Sequence, residues 1–304
     1  MTKFKSLAPE DYPLLKRFFV DLKTSLSIYS LPSLISWNNQ VYRSSYVLID
    51  DLLVIVTLSK HHPDQPYLIQ PLSPSREATP QELHELAITL GCREFRFIPE
   101  DYLSRCDHEE VTRLFMVAEQ PEYADYIYHT NDLGSLAGRR FAKKRNHLNQ
   151  FIRDYLEPGL VKTEAITADN KAECLDFILR WCEEYPCDGP ESESLACEQE
   201  AIAIALENIE LFELCGFAIR VEGVISAFAI TARLNDRMGV LNFEKAFSRI
   251  NGLYQFLDQQ CSQKCLNAYE FTNKESDMGL PGLAQSKRSY YPCDRVKSYQ
   301  LKLI

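Results

Sequence analysis

Three stretches of the chain hold residue types able to do chemistry. The first runs from Arg139 to Arg145 (RRFAKKR). Five of its seven side chains are cationic, in a chain whose formal net charge is -10. Such a local reversal of sign suits an anion site. Lys143, Lys144 and Arg145 are the candidates to hold phosphates there, with His147 beside them. The second stretch is the turn after VLNFEKA, where Arg249-x-x-Gly252 leads from a strand into a helix. A helix start offers unpaired N–H groups and the positive end of the dipole, and glycine lets the backbone approach a phosphate closely. Glu244 lies at the end of that strand. On regular alternation it shares a face with Asn242. An acid on the inner face of an apolar strand is either paired, here with Lys144 or Arg145, or a base. The third stretch is FTNKESDMGLPGLAQSKRSYYP, which carries Asn273, Glu275, Asp277, Lys287 and Tyr290. Its polar alternation hints at a cation loop, but the glutamate and paired helices of an EF-hand are missing. Tyr290 is suited to give a proton to a leaving group or simply to pack.

The elements that must position these residues follow from periodicity. Residues 128–155 read as one helix capped by Asn131 or Asp132. On its wheel Ala137, Phe141, Leu148, Ile152 and Tyr155 form a stripe, closely flanked by Lys144 and Arg145. Arg140 and His147 lie a little further round, and Arg139, Lys143 and Gln150 lie opposite. Cations beside a buried stripe either snorkel past it or face an anion in a cleft. Before this stretch, the pattern predicts a helix over 9–23, a hairpin over 44–58 turning at Asp50-Asp51, a strand at 66–70, a helix over 80–90 and a strand at 94–98. After it come a strand at 160–166, a helix over 170–184, an acidic loop broken by Pro186, Gly189 and Pro190, and a helix over 201–210. A second hairpin over 217–232 turns at Glu222-Gly223. Strands at 240–246, 268–272 and 296–303 and helices over 253–265 and 282–289 complete the chain. This is an α/β or α+β arrangement in which a helix precedes a hairpin in each half. It predicts two domains, 1–122 and 123–304.

At 304 residues, with 45% hydrophobic and 25% charged residues, the chain has the composition of a soluble two-domain protein. Its acidity argues against sequence-independent DNA binding. The ten cysteines are scattered, with no C-x-x-C and no zinc spacing. They read as reduced thiols of a cytoplasmic protein, and no metal site is expected. The N-terminus has no signal-like apolar run. The most apolar stretch, 211–234, is broken by Glu213, Arg220, Glu222 and Arg233, so no membrane span is expected. P-loop, Gly-x-Ser-x-Gly and Gly-x-Gly-x-x-Gly signatures are absent.

The segments YHTNDLGSLAGRRFAKKRNHLNQF, LNFEKAFSRINGLYQF and FTNKESDMGLPGLAQSKRSYYP resemble, in this order, those of bacterial proteins related to the C-terminal domain of phosphatidylglycerol lysyltransferases. The resemblance covers the chain from about residue 123 onward. It implies two tandem GNAT-like domains, each a mixed central sheet flanked by helices. It also implies transfer of an acyl or aminoacyl group from a phosphate-bearing donor, acyl-CoA or aminoacyl-tRNA, to an amine or hydroxyl. No tightly bound cofactor is expected, and tRNA is the one nucleic-acid partner in view. In this scheme Glu244 is the base or the acid that positions the acceptor amine, and Tyr290 is its catalytic partner. Lys143, Lys144, Arg145, Arg249 and Gly252 hold the donor, and His147, Asn242, Asn273, Glu275 and Lys287 line the substrate side. Leu253 and Tyr254 stand where the GNAT donor loop continues with Gly or Ala, a departure that speaks against coenzyme A. The alternative is a non-catalytic protein that senses a small anion in the same cleft.

Overall fold

The computed structural model describes residues 4–184 and 190–304. Pro186, Cys187, Asp188 and Gly189, part of the expected acidic loop, lie outside the described residues. Pro190 opens a helix instead of breaking one.

Two seven-stranded mixed sheets form the molecule. The first contains β1 (Lys5–Ser6), β2 (Tyr42–Ile49), β3 (Leu52–Ser59), β4 (His62–Leu68), β5 (Glu94–Pro99) and β6 (Phe115–Glu119). The second contains β7 (Asp125–His129), β8 (Val161–Ala165), β9 (Cys215–Val221), β10 (Val224–Arg233), β11 (Met238–Ala246), β12 (Phe271–Asn273) and β13 (Asp294–Val296). The last strand, β14 (Ser298–Leu303), returns to the first sheet and lies between β5 and β6. The single strand expected at 296–303 is therefore divided at Lys297 between the sheets, so residues of the C-terminal half complete the N-terminal sheet.

Helices cover the sheets: α1 (Tyr12–Leu15), α2 (Leu31–Ser36), α3 (Pro80–Leu90), α4 (Glu100–Arg105) and α5 (His108–Leu114) in the first half, and α6 (Thr130–Ser135), α7 (Ala142–Phe151), α8 (Lys171–Glu183), α9 (Pro190–Glu207), α10 (Leu253–Lys264) and α11 (Pro281–Arg288) in the second. This satisfies the expected α/β class of mixed sheets flanked by helices. Both hairpins turn where expected, with Asp50, Glu222 and Gly223 at positive φ. Thr79 caps α3 in a reciprocal pair with Glu82.

Three expectations need correction. Residues 9–18 form one α-turn between two 3-10 turns, not a long helix, and Leu14 of the supposed apolar face is exposed. Proline at 13 removes an amide donor that a continuous helix from residue 9 needs. Residues 128–155 are likewise not one helix. They are the end of β7, then α6, a break at Leu136 (φ 48°) and Gly138 (φ 88°), a 3-10 turn, α7, and a π-helical turn from Ile152. Ala137 sits in the break, exposed, while Leu133 and Leu136 are buried. Finally, Cys215 and Cys265 form a disulfide with Cα atoms 5.6 Å apart, tying the start of β9 to the C-cap of α10. They are 50 residues apart in sequence, so only the fold brings them together.

The halves share a core. Leu34, Ile35 and Tyr46 of the first pack in one cluster with Ile127, Phe212, Met238 and Val240 of the second. Each sheet has one parallel pair. β11 and β12 pair only from Met238↔Phe271 to Val240↔Asn273, after which they part. The fork between them is where the candidate residues gather. A bulge shapes one arm: register passes from Thr231↔Leu241 to Ile230↔Phe243, leaving Asn242 as an extra residue.

Candidate functional site

The centre of the fork is a carboxylate, a lysine and a second carboxylate. Lys274, one residue past β12, places its Nζ 3.0 Å from Glu244 Oε2 and also on Asp258 Oδ1 of α10. The side chains of Lys274, Glu244 and Asp258 keep only 10%, 16% and 4% of their exposure, so three charges share a dry space. Two acids to one cation leaves an excess negative charge. Burial, then the charge of Asp258, push Glu244 up from 4.5 to about 7 against the pull of Lys274. Burial disfavours the Lys274 cation, yet Asp258 and Glu244 outweigh it and hold the ammonium well above the ordinary lysine value. Glu244 Oε1 is buried and has no hydrogen-bond partner.

Around this centre stand an aromatic ring and a second lysine. The Tyr290 ring has Lys144 Nζ 3.9 Å and Lys274 Nζ 5.1 Å from its centroid. Its buried hydroxyl completes no hydrogen bond of normal geometry, although it lies close enough to Asp258 to feel that charge. Burial and Asp258 raise it well above the usual tyrosine value. Burial lowers Lys144 below the ordinary lysine value, against the pull of Asp258. Cys261, one turn along α10 from Asp258, is buried in the same field, and burial keeps its thiol protonated.

The other side of the fork is polar and more fully bonded. Because of the bulge, Asn242 and Glu244 do not share a face, as alternation had suggested. Leu241 and Glu244 turn to the α10 side, whereas Phe243 packs with Phe177 and Trp181 of α8. Asn242 donates to Ser33 Oγ of α2 at 2.7 Å, and its own Oδ1 is buried without a partner. Asn273 is wholly buried. It donates to Asp125 Oδ2 and to the Ser25 carbonyl, both at 2.8 Å, and accepts from the Glu275 amide at 2.6 Å. Asp125 also accepts from the Ser27 amide at 2.6 Å. Lys287 of α11 donates to the carbonyls of Lys274, Glu275 and Ser276. Burial lowers it to about 8, opposed by Glu275 and Asp125. Burial raises Glu275 to about 8, opposed by Lys287. Asn273 and Lys287 are thus fastened to backbone, holding the second arm of the fork in shape.

The residues expected to hold a donor's phosphates are not gathered into one pocket. Lys144 reaches the centre, and Lys143 is exposed on α7. Arg145 turns inward and donates to the carbonyls of Leu136 and Gly138, closing the break before α7. Arg249 pairs with Glu184 and lies 3.8 Å from the centroid of the Phe247 ring. Gly252 has φ 82°, and a Cβ there would stand 2.1 Å from the carbonyl oxygen of His147. Its glycine is therefore required by the close crossing of α7 over the start of α10. His147 Nδ1 lies 3.0 Å from Asn251 Oδ1, and Asn251 donates to Gln150, fixing the same crossing. Among the described residues no group of His, Cys, Asp and Glu could hold a metal ion, and no helix is long and apolar enough to cross a membrane.

Sequence reasoning missed Lys274 and Asp258. Lys274 sat between two quoted candidates, Asn273 and Glu275, and strand alternation would have turned it to the opposite face from both. Asp258 carried a signal too: it is the one acid among the apolar positions of α10, flanked by Leu257 and Cys261, and a buried acid needs a cation.

The comparisons agree with this architecture. The family described as "Phosphatidylglycerol lysyltransferase, C-terminal" matches residues 23–302. An uncharacterized protein of Mycoplasmoides gallisepticum is 28% identical over 181 residues, 59% of this chain and 56% of that relative, so the match spans about half of the curated relative's length. A conserved protein of unknown function from Bacteroides thetaiotaomicron is similar over 100% of both chains, with 28% identity and a TM-score of 0.89. The C-terminal domain of a protein of Agrobacterium fabrum assigned as a lysylphosphatidylglycerol synthetase shares the fold, with 13% identity, a TM-score of 0.66 and coverage of 96% of this chain and 91% of that one. With nearly its whole length matched, from the core shared by both halves to the fork with Glu244 and Lys274, this chain belongs to the family of the phosphatidylglycerol lysyltransferase C-terminal domain.

Proposed function

We propose that the protein is a GNAT-like acyl- or aminoacyl-transferase whose reaction takes place at the fork of the second sheet. The observation that carries this reading is Glu244: one oxygen is held by Lys274, the other is buried without a donor, and its proton affinity is tuned to about 7. A base is most effective when its pKa lies near the working pH. In the proposed step the acceptor's N–H or O–H proton passes to Glu244 Oε1. The freed lone pair attacks the donor's carbonyl carbon, the carbonyl–sulfur or carbonyl–oxygen bond breaks, and the leaving atom takes a proton from Tyr290 or Lys144. Lys274 keeps the carboxylate in place and stabilises its charged form. Lys143, exposed beside Lys144, faces the donor's phosphates. Acyl-CoA and aminoacyl-tRNA are the donor classes that carry both a phosphate and an activated carbonyl.

A second reading, a protein that senses an anion without turnover, draws support from α7. It covers Gly252, and Arg145 and Arg249 are already engaged, so the start of α10 is poorly suited to a pyrophosphate. One screen separates the two. Thermal shifts are recorded with acetyl-coenzyme A, coenzyme A, aminoacyl-tRNA and inorganic phosphate; a ligand at ~100 times its dissociation constant adds about 2.7 kcal/mol. A shift with an acyl or aminoacyl donor, followed by a loss of turnover of about 10²–10⁴-fold in Glu244→Gln, is the expected result. A shift with phosphate alone, or an unimpaired Glu244→Gln enzyme, supports the sensor and overturns the base.

A further inference from the structure

Residues 25–37 of the first half lie across the fork of the second. The Ser25 carbonyl holds Asn273, the Ser27 amide holds Asp125, Ser33 Oγ holds Asn242, and the Trp37 ring stacks on Phe243 at 6.3 Å between centroids. Between these contacts the same segment is pinned to its own sheet. The Tyr29 hydroxyl donates to the Phe97 carbonyl at 3.0 Å and accepts from the Gln70 amide at 3.2 Å. Both halves therefore fix the position of Ser33, which is 6% exposed.

The contact at Asn242 is the one that bears on chemistry. Asn242 is the extra residue of the β10–β11 register, and that bulge reverses the alternation of the strand beyond it. Without the bulge, Glu244 would follow Asn242 to the α2 side, away from Lys274 and Asp258. The bulged residue is held from the side by its Nδ2, which donates to Ser33 Oγ at 2.7 Å and also lies within reach of the Glu275 carboxyl. The acceptor of the Asn242 amide, its Oδ1, is unused.

We infer that Ser33, from the first half, is a positioning residue for Glu244: by anchoring Asn242 it keeps the bulge that turns the carboxylate into the Lys274–Asp258 cluster. This deepens the proposed function and rests on Glu244 being the base. It also assigns a task to the N-terminal half, which supplies no group to the cluster itself. The pairing joins the two halves, because Ser33 Oγ stands at hydrogen-bond distance from one of the two Asn242 amide N–H groups.

The test follows the Glu244 carboxyl through its titration, by NMR on the full chain with carbon-13-labelled glutamate, the resonance being the one lost in Glu244→Gln. Ser33→Ala should move the midpoint by about one pH unit from its wild-type value, because the carboxyl leaves both Asp258, which raises it, and Lys274, which lowers it. Ser33→Thr, which keeps the oxygen, should restore it. Asn242→Ala should give the same shift from the other side of the bond, and the double variant should shift no further than either single one. An unchanged midpoint in Ser33→Ala, with the wild-type resonance present, overturns the inference and leaves the base reading intact. If no resonance removed by Glu244→Gln titrates near neutrality in the wild type, both fall together. Thermal melts of each variant confirm that folded protein is being titrated, and Asn242→Ala supplies the readout if Ser33→Ala does not fold.

Discussion

In the first sheet β4 and β5 run parallel as far as Leu68↔Phe95 and then part; in the second, β11 and β12 do the same at Val240↔Asn273. The correspondence extends past the split. Leu72 lies opposite Leu53 as Glu244 lies opposite Ala229, each pair with one extra residue relative to the last parallel rung. Phe97 and Glu275 stand two residues beyond that rung on the other arm, and both have φ 58°. The backbone is the same device used twice. What fills it differs. In the first fork Leu72 and Phe97 replace the two acids, and the Tyr29 hydroxyl bridges the arms by bonding the Gln70 amide and the Phe97 carbonyl. Arg96, the counterpart of Lys274, turns to Glu94 and the Tyr67 ring, 4.8 Å away. In the second fork Glu244, Lys274 and Asp258 occupy the gap, with Glu244 Oε1, Asn242 Oδ1 and the Tyr290 hydroxyl left without partners. A split sheet exposes backbone groups that must be satisfied. The first fork satisfies them internally and is a joint. The second leaves buried side-chain polar atoms unsatisfied, which is the feature the proposed reaction rests on.

This comparison can be broken at several points. The largest effect is expected from Lys274→Met. It strands two buried carboxylates, and breaking a buried pair costs about 3–5 kcal/mol, read from urea denaturation at pH 7. A variant as stable as the wild type would mean the cluster is open to water. Next is Tyr29→Phe, which removes the plug of the first fork and leaves a buried amide and carbonyl unpaired. A loss of about 1–3 kcal/mol is expected, read from urea denaturation. The third effect is one of slope. Glu244 keeps its proton in the folded chain up to about 7, whereas the unfolded chain releases it near 4.5. Between those values the unfolded state binds fewer protons, so stability falls as pH rises. Melting points of the wild type and Glu244→Gln, taken from pH 5 to 8, should diverge in favour of the variant with rising pH. A constant gap would show that the carboxyl is not held protonated. The smallest effect is that of Arg96→Met, whose pair with Glu94 is partly solvated; less than about 1 kcal/mol is expected. A cost near that of Lys274→Met would erase the distinction between the forks.

Much of the site could be read in the residues. Glu244 was legible because an acid in VLNFEKA breaks an apolar strand, Lys144 because it flanks the buried stripe on the wheel, and Tyr290 because its neighbours resembled a known segment. The partner of Glu244 was misread as Lys144 or Arg145. Lys274 holds that place, since β12 runs beside β11 although 30 residues separate the two side chains in sequence. Arg145 looked like a phosphate ligand because a wheel shows direction but not reach: the break at Leu136 and Gly138 exposes carbonyls that its guanidinium caps. Gly252 looked like a phosphate turn because glycine answers equally to a ligand and to a neighbouring helix, and here the neighbour is α7.

The sequence by itself determined the elements and their faces. Both hairpins, α3 with its Thr79–Glu82 cap, and the apolar runs of β10 and β11 depend on turn chemistry and periodicity, which act over a few residues. Tertiary structure decided everything that depends on distance through space. It joined Cys215 to Cys265, sent β14 back to the first sheet, set Lys274 between Glu244 and Asp258, and laid Ser33 against the bulge at Asn242. The physical reason is the same in each case. A bulge of one residue reverses a strand's faces, and burial converts an ordinary carboxyl into one that titrates near neutrality; neither local pattern nor composition carries the packing that fixes them.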